Sequence, residues 1–130
     1  MTEDLKAIYA RAPEIFQKLR QEVDKVMVGQ KVAIEQLMIA ILAGGHALLE
    51  SNPGLAKPLL IKTTAMSMGL SFSRIQCTPA LMPSDITGTT IIEETDGNKH
   101  FRFQPGPIFA NIVLADEINR ASPKTQSAML

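Results

Sequence analysis

The sequence has little of several features that define whole classes of protein. It has one cysteine and so no intrachain disulfide, which excludes a disulfide-held secreted scaffold and favours the reducing cytoplasm. It has no tryptophan and one tyrosine, too little aromatic surface for a platform that stacks bases. Its 13 basic and 13 acidic residues cancel, so bulk charge gives no support for binding to nucleic acid or an anionic membrane. The longest apolar stretch, 37–49, is shorter than the roughly 18 residues of a membrane span, and the acidic start MTEDLKAIYA is unlike a signal peptide.

What is present is typical of one globular domain, with 130 residues of which 45% are hydrophobic and 20% charged. Apolar periodicity and capping signals predict helices at 3–26, 30–43, 57–68 and 108–111, and after Ser122-Pro123. Pro13 is expected to break the first helix in two. Strands are predicted at 46–50, 71–78, 89–95, 99–104 and 112–115, with a hairpin turn at Asp96-Gly97-Asn98. This alternation predicts an α/β fold with a parallel sheet.

The segment from Ser51 to Pro58 has the setting of a phosphate-binding loop, because it follows a predicted strand and opens a predicted helix. In such a loop, backbone N–H groups surround the phosphates, the helix N-terminus adds positive potential, and a lysine supplies a point charge. Gly54 and Lys57 are present, but Ser51 stands at the first glycine position and Pro58 at the Mg²⁺-binding hydroxyl position. On these residues alone, an ordinary Pro/Gly turn is an equally good interpretation. The candidate nucleotide-binding residues are Asn52, Pro53, Gly54, Leu55, Ala56, Lys57 and Pro58.

A second segment, 112–117, is an apolar stretch that ends in the carboxylates Asp116 and Glu117. A buried strand would deliver both acids to the sheet edge where parallel α/β folds bind ligands. Asp116 would then hold Mg²⁺ through water, and Glu117 would orient and polarise an attacking water molecule. The alternative is a strand followed by a solvated acidic turn. The two segments together favour the core of a nucleoside triphosphatase.

Five segments carry a more specific signal: GGHALLE at 44–50, PGLAK at 53–57, LMPSDITG at 81–88, FRFQPGPI at 101–108 and LADEINR at 114–120. In this order they resemble the N-terminal portion of the AAA+ module of MoxR-type ATPases, from about residue 28 to residue 130. The resemblance implies a P-loop NTPase core with a parallel sheet, N-terminal helices, and an inserted β-hairpin near 89–104, truncated before the helical lid. It divides the chain into a helical segment, 1–27, and a partial nucleotide-binding domain, 28–130.

The resemblance also implies an activity. The cofactors would be ATP and Mg²⁺, with Glu117 as the catalytic residue and Asp116 holding the metal through water. The protein would be cytoplasmic and would form homo-oligomeric rings, usually hexamers. Its hydrolysis of ATP would serve chaperone-like work, such as assembling protein complexes or maturing their metal cofactors, beside von Willebrand factor A domain proteins. No nucleic acid partner and no membrane span are expected.

The sequence departs from the family pattern at Ser51, at Pro58 and in length. Pro58 has neither a hydroxyl for Mg²⁺ nor an N–H for phosphate, and it is expected to bias Lys57 away from the helical region. The family's sensor residues, arginine finger and lid lie beyond the position of Leu130, so we expect little turnover from this chain alone. Arg120 is interpreted as a loop residue that contacts nucleotide or a neighbouring subunit.

Two alternatives to an active ATPase stay open. Pro58 favours a degenerate subunit that binds nucleotide or partners without turnover, and the end of the sequence within a predicted helix favours an inactive fragment. Among the remaining polar residues, Cys77 is expected to be a small buried residue, Asp85 to cap a short turn, and His100 to be solvated.

Overall fold

Helices dominate the first half of the chain and strands the second. The computed structural model describes residues 3–26, 29–50, 57–95 and 97–130, and the chain divides into two units, 1–69 and 70–130. The first unit contains the helices α1 (Glu3–Asp24), α2 (Lys31–Leu42) and α3 (Lys57–Ser67). The second contains the strands β1 (Phe72–Gln76), β2 (Gly88–Thr95), β3 (Asn98–Pro105) and β4 (Ile112–Asp116), with two short helices, α4 (Pro83–Thr87) and α5 (Pro123–Ser127).

The core of the first unit forms where the apolar side chains on one face of α1 pack against α2 and α3. Val23 of α1, Met38 of α2 and Leu60 of α3 are buried in one cluster, with Phe16 and Leu19 packed against it. Both α2 and α3 end where the sequence predicts, since Gly44 and Gly69 adopt positive φ angles just beyond them. None of the helices described combines the length and the hydropathy that crossing a bilayer requires.

Helix α1 runs without interruption through Pro13, so the predicted break there is wrong. A proline removes its own N–H from the helix ladder and crowds the preceding turn, which costs about 3 kcal/mol in a helix interior. The residues after Pro13 recover this cost by packing, because Phe16, Leu19 and Val23 all join the core of the unit. The helix therefore continues across a residue that would end it in isolation.

The predicted buried strand at 46–50 is also wrong. Residues 45–50 form no regular element, and Leu48 is 88% exposed. The apolar pattern HALLE satisfies the rule for a strand, but a strand also needs a neighbour for its N–H and C=O groups. In the described ranges, the strands pair only as β1 with β4 and β2 with β3. His46, expected at the entry of this strand, lies on the exposed segment.

The second unit is built on a parallel pair, which confirms the predicted α/β architecture. Strand β1 pairs with β4 in a register that runs from Phe72↔Ile112 to Gln76↔Asp116. Beneath the pair lies a core that contains Ile75, Cys77 and Ile86. Because the strands are parallel, their carboxyl ends share one edge, and that edge carries Gln76 and Asp116 side by side. Strand β4 is half-buried along its length rather than fully buried.

Strands β2 and β3 form the predicted hairpin, with Thr95 paired to Asn98 and Gly97 at φ +75° in the turn. Asp96, the first residue of the predicted turn, lies outside the described residues. The two short helices have the expected caps. The Asp85 carboxylate accepts a hydrogen bond from the Met82 N–H at 2.8 Å, and Ser122 Oγ accepts from the Thr125 N–H at 3.3 Å before Pro123. Helix α5 ends at Ser127.

The predicted helix at 108–111 is absent, and the chain makes a tight turn there instead. Asn111 explains the difference. Its N–H donates to Ser71 Oγ at 2.9 Å, and its Oδ1 accepts from the Ser71 hydroxyl at 2.7 Å and N–H at 3.0 Å. These bonds fix the entry into β4 beside the start of β1, so the segment before β4 is shaped by a residue 40 positions away in the sequence.

Candidate functional site

The carboxyl edge of the parallel pair carries a charged cluster centred on Asp116. The Asp116 carboxylate lies directly after the apolar stretch of β4, and its side chain is only 17% exposed. Arg74, on the neighbouring strand β1, donates to the same Oδ2 atom from Nε at 3.1 Å and from Nη2 at 2.6 Å. Alternation along the strand explains this arrangement, because Arg74 and Gln76 point away from the core that Ile75 enters.

The cluster extends from Asp116 to the second acid through polar side chains. Arg74 Nη2 also donates to Gln76 Oε1, and Gln76 Nε2 donates to Glu117 Oε2 at 3.5 Å. Both carboxylates of the predicted acidic pair therefore belong to one network with the end of β1. Neither Arg74 nor Gln76 was among the predicted site residues.

Glu117 has an unusual backbone. At φ 54° and ψ 46° it is the one non-glycine residue in the described ranges with a positive φ, a conformation that costs roughly 1–2 kcal/mol. Arg120, the last residue of the short 3₁₀ helix Ile118–Arg120, holds Glu117 in this conformation through two contacts. Its Nη1 lies 2.7 Å from Glu117 Oε2, and its backbone N–H donates to the Glu117 carbonyl at 2.9 Å. The hydrogen bond that the Arg120 guanidinium donates to the Glu117 carboxylate, and then the charge of that carboxylate, raise the pKa of Arg120.

The charge of Asp116 also acts on Cys77, which lies on the core side of the sheet edge. Cys77 follows β1, is fully buried as predicted, and its N–H donates to the Asp116 carbonyl at 2.9 Å. Burial, and secondarily the negative charge of Asp116, raise the pKa of the thiol. Cys77 is therefore a neutral packing residue rather than a reactive thiolate.

The predicted phosphate-loop residues lie in the first unit. Asn52, Pro53, Gly54, Leu55 and Ala56 fall outside the described residues. Lys57 is the first residue of α3 and Pro58 the second, and both are half-buried. The expectation that Pro58 would keep Lys57 out of the helix is wrong. Lys57 is helical although Pro58 follows it, and the missing N–H of Pro58 removes no bond from the helix, because first-turn N–H groups have no partner within it.

The donor chemistry of the cluster suits a hard cation only in part. Mg²⁺ is commonly bound by one or two carboxylates together with water and substrate phosphates, and Asp116 offers such a carboxylate. No group of three or more His, Cys, Asp or Glu that could hold a metal ion occurs among residues 3–26, 29–50, 57–95 and 97–130.

The comparisons with known proteins agree with this architecture. The model of the ATPase family associated with various cellular activities (AAA) matches residues 46–130. YeaC of Bacillus subtilis, which is uncharacterized, is 46% identical over 98% of this chain. The chaperone MoxR1 of Mycobacterium tuberculosis is 49% identical over 84% of it. A crystal structure of a Cytophaga hutchinsonii protein provisionally named an ATPase superposes with a TM-score of 0.79 at 46% identity and covers 98% of the chain.

The chain spans only part of the length of these relatives: 37% of YeaC, 28% of MoxR1 and 39% of the Cytophaga protein. The family model nevertheless covers both the segment before the predicted phosphate loop and the acidic edge of the sheet. The chain therefore belongs to the ATPase family associated with various cellular activities, and within it to the MoxR type.

Proposed function

We propose that this chain binds ATP together with Mg²⁺ and that it contributes to ATP hydrolysis in the assembled protein. The observation that carries the proposal is the position of Asp116 and Glu117 at the carboxyl edge of a parallel strand pair. That edge is where α/β sheets bind ligands, because side chains and loops beyond the strand ends converge there.

The proposed roles follow from position and chemistry. Asp116 holds Mg²⁺ through water, and the cation, when bound, neutralises charge on the phosphate oxygens. Glu117, the next residue and 48% exposed in its side chain, accepts a hydrogen bond from the attacking water and orients it. Residues 52–58 surround the phosphates, with Lys57 at the N-terminal turn of α3.

We further propose that residues 28–130 form part of a nucleotide-binding domain and that 1–27 is a helical segment preceding it. The complete protein would assemble into homo-oligomeric rings, hexamers in the family pattern, and act as a chaperone in the cytoplasm. The name of the Mycobacterium relative supports the chaperone role. Partner proteins with von Willebrand factor A domains belong to the same proposal.

A second candidate is a subunit that binds nucleotide without turnover. Pro58 favours it, because neither the metal-binding hydroxyl nor the N–H of the usual residue is present at this position. Both candidates bind nucleotide at the same site. They differ in whether Glu117 supports ATP hydrolysis there.

The deciding experiment measures ATP binding and phosphate release for the wild-type chain, Glu117→Gln and Asp116→Asn, joined to the remaining length of a relative such as YeaC. We expect Glu117→Gln to abolish release while binding changes by less than about threefold, and Asp116→Asn to raise the Mg²⁺ requirement. Equal turnover in wild type and Glu117→Gln would reject the role of Glu117. Binding without turnover in the wild type would favour the second candidate.

A further inference from the structure

The ion pair between Arg74 and Asp116 differs from the other ion pairs in the part of the chain that the structure describes. In the Lys25–Glu22, Arg102–Glu93 and Arg120–Glu117 pairs, every side chain is at least 44% exposed. Asp116 is 17% exposed, and it receives two donors of one guanidinium on a single oxygen. Partial burial weakens screening by water, so this pair is held more tightly than a surface pair.

The position of the pair gives it a consequence for metal binding. Asp116 is the residue to which the proposed function assigns the cation, and this inference rests on that assignment. Two of the lone-pair directions of its carboxylate are already directed at Arg74. A hydrated cation that approaches Asp116 must share the carboxylate with a fixed positive charge or displace the guanidinium from it.

We propose that Arg74 is a positioning residue that competes with the divalent cation for Asp116 and so sets the cation concentration at which the site fills. The guanidinium holds the carboxylate oriented at the sheet edge when no cation is bound. When the cation binds, Arg74 loses at least one of its two contacts to Oδ2. Its second partner, Gln76 Oε1, keeps the released side chain beside the edge.

The test measures Mn²⁺ binding by electron paramagnetic resonance, which counts the free ion, in the presence of a non-hydrolysable ATP analogue. We expect Arg74→Gln to lower the dissociation constant for Mn²⁺ by about 3- to 30-fold, the size of a nearby unit charge acting at a partly buried carboxylate. Arg74→Lys keeps the charge and should stay within about twofold of wild type. Arg102→Gln removes a guanidinium of similar exposure, 54% against 46%, from the hairpin pair with Glu93, and should change nothing.

Asp116→Asn separates this inference from the function beneath it. If Asp116→Asn leaves Mn²⁺ binding unchanged, the proposed role of Asp116 fails. If Asp116→Asn weakens binding but Arg74→Gln leaves it equal or weaker, the competition is overturned and the proposed function stands.

A readout on the wild-type chain covers the case in which Arg74→Gln does not fold. The ¹⁵N–¹H signal of Arg74 Nε, assigned by its loss in Arg74→Lys, should shift as Mg²⁺ is added with the analogue, whereas that of Arg102 should not. An Arg74 signal that stays in place at saturating Mg²⁺ would contradict the displacement.

Discussion

Gly88 and Gly106 meet backbone to backbone at the base of the hairpin. A Cβ atom on Gly88 would lie 2.6 Å from the Gly106 nitrogen, and one on Gly106 would lie 2.5 Å from the Gly88 nitrogen. Gly88 also has a φ of +95°, which side chains rarely adopt. The contact joins the first residue of β2 to the residue after β3, so the hairpin leaves the rest of the second unit at a fixed point.

The close contact between Gly88 and Gly106 predicts that alanine lowers the free energy of unfolding by a different amount at each glycine of the hairpin. Gly88→Ala should cost about 2–4 kcal/mol of unfolding free energy, from a clash against backbone and an unfavourable φ together. Gly106→Ala should cost about 1–3 kcal/mol from the clash alone. Gly97→Ala is the control, because its φ of +75° is strained but its Cβ would meet open space. Urea unfolding should give Gly97→Ala a smaller loss than Gly88→Ala; the reverse order would contradict the contact.

Two buried threonines predict a different contrast. Thr125 Oγ1 donates to the Leu81 carbonyl at 2.6 Å across 44 residues of sequence, whereas Thr64 Oγ1 donates to the Leu60 carbonyl one turn back in its own helix. Both residues are 1% exposed. Replacement by valine keeps the shape, but only at Thr125 does it remove a bond between separate segments.

Thr125→Val should therefore cost about 1–3 kcal/mol, because the Leu81 carbonyl loses its donor beneath α5. Thr64→Val should cost less than about 1 kcal/mol, since the Leu60 carbonyl keeps the N–H of its helix ladder. Thermal unfolding of the two variants under identical conditions compares them directly. Equal losses would mean that the Thr125 bond contributes no more than a local helix contact.

Sequence predictions that depend on residues close together in the sequence were correct more often than predictions that depend on packing or pairing with distant residues. The ends of α2 and α3 at Gly44 and Gly69, the hairpin turn at Gly97 and the cap of α5 at Ser122 depend on neighbours within a few residues, and all are found. The break at Pro13 and the strand at 46–50 failed because each was decided by packing or pairing that local pattern does not contain.

The candidate site divides in the same way. An apolar stretch that ends in two acids is visible in the sequence, so Asp116 and Glu117 were identified as a pair. Their partners Arg74 and Gln76 lie 42 and 41 residues away on β1, and only the register of the parallel strands brings them to the same edge. A charged residue two positions before the end of a strand, in a chain with a second strand ending in acids, is the signal that would have found Arg74.

The raised pKa of Cys77 predicts an alkaline loss of stability. Burial, and then the charge of Asp116, keep the folded thiol protonated, whereas an unfolded thiol ionises near pH 8.5. The contribution of the Cys77 thiol to the free energy of unfolding is therefore fully present below about pH 8.5, and it falls as the pH rises toward the folded pKa. The wild-type chain should lose more unfolding free energy between pH 8 and pH 10 than Cys77→Ala does. An identical pH slope in both chains would contradict the assignment, as would rapid reaction of native Cys77 with a thiol reagent at pH 8.

Pro58 allows the metal-binding role of the phosphate loop to be tested by restoring one group at a time. It occupies the first turn of α3, and Lys57 before it is already helical, so a substitution at 58 need not create the helix. Pro58→Thr adds a hydroxyl that can bind Mg²⁺ and an N–H that can reach a phosphate oxygen. A metal ligand and a charge-assisted hydrogen bond together contribute about 2–4 kcal/mol, roughly 30- to 1000-fold in affinity.

Pro58→Ala is the matched control, because it restores the N–H without the hydroxyl. Titration with a fluorescent ATP analogue should show tighter binding for both variants without Mg²⁺, and a larger further gain on adding Mg²⁺ for Pro58→Thr than for Pro58→Ala. Circular dichroism should show that neither variant alters the helix content, since the first-turn N–H has no partner within α3. If threonine and alanine give the same affinity and the same response to Mg²⁺, position 58 does not face the metal, and the placement of the phosphate loop at 51–58 is wrong.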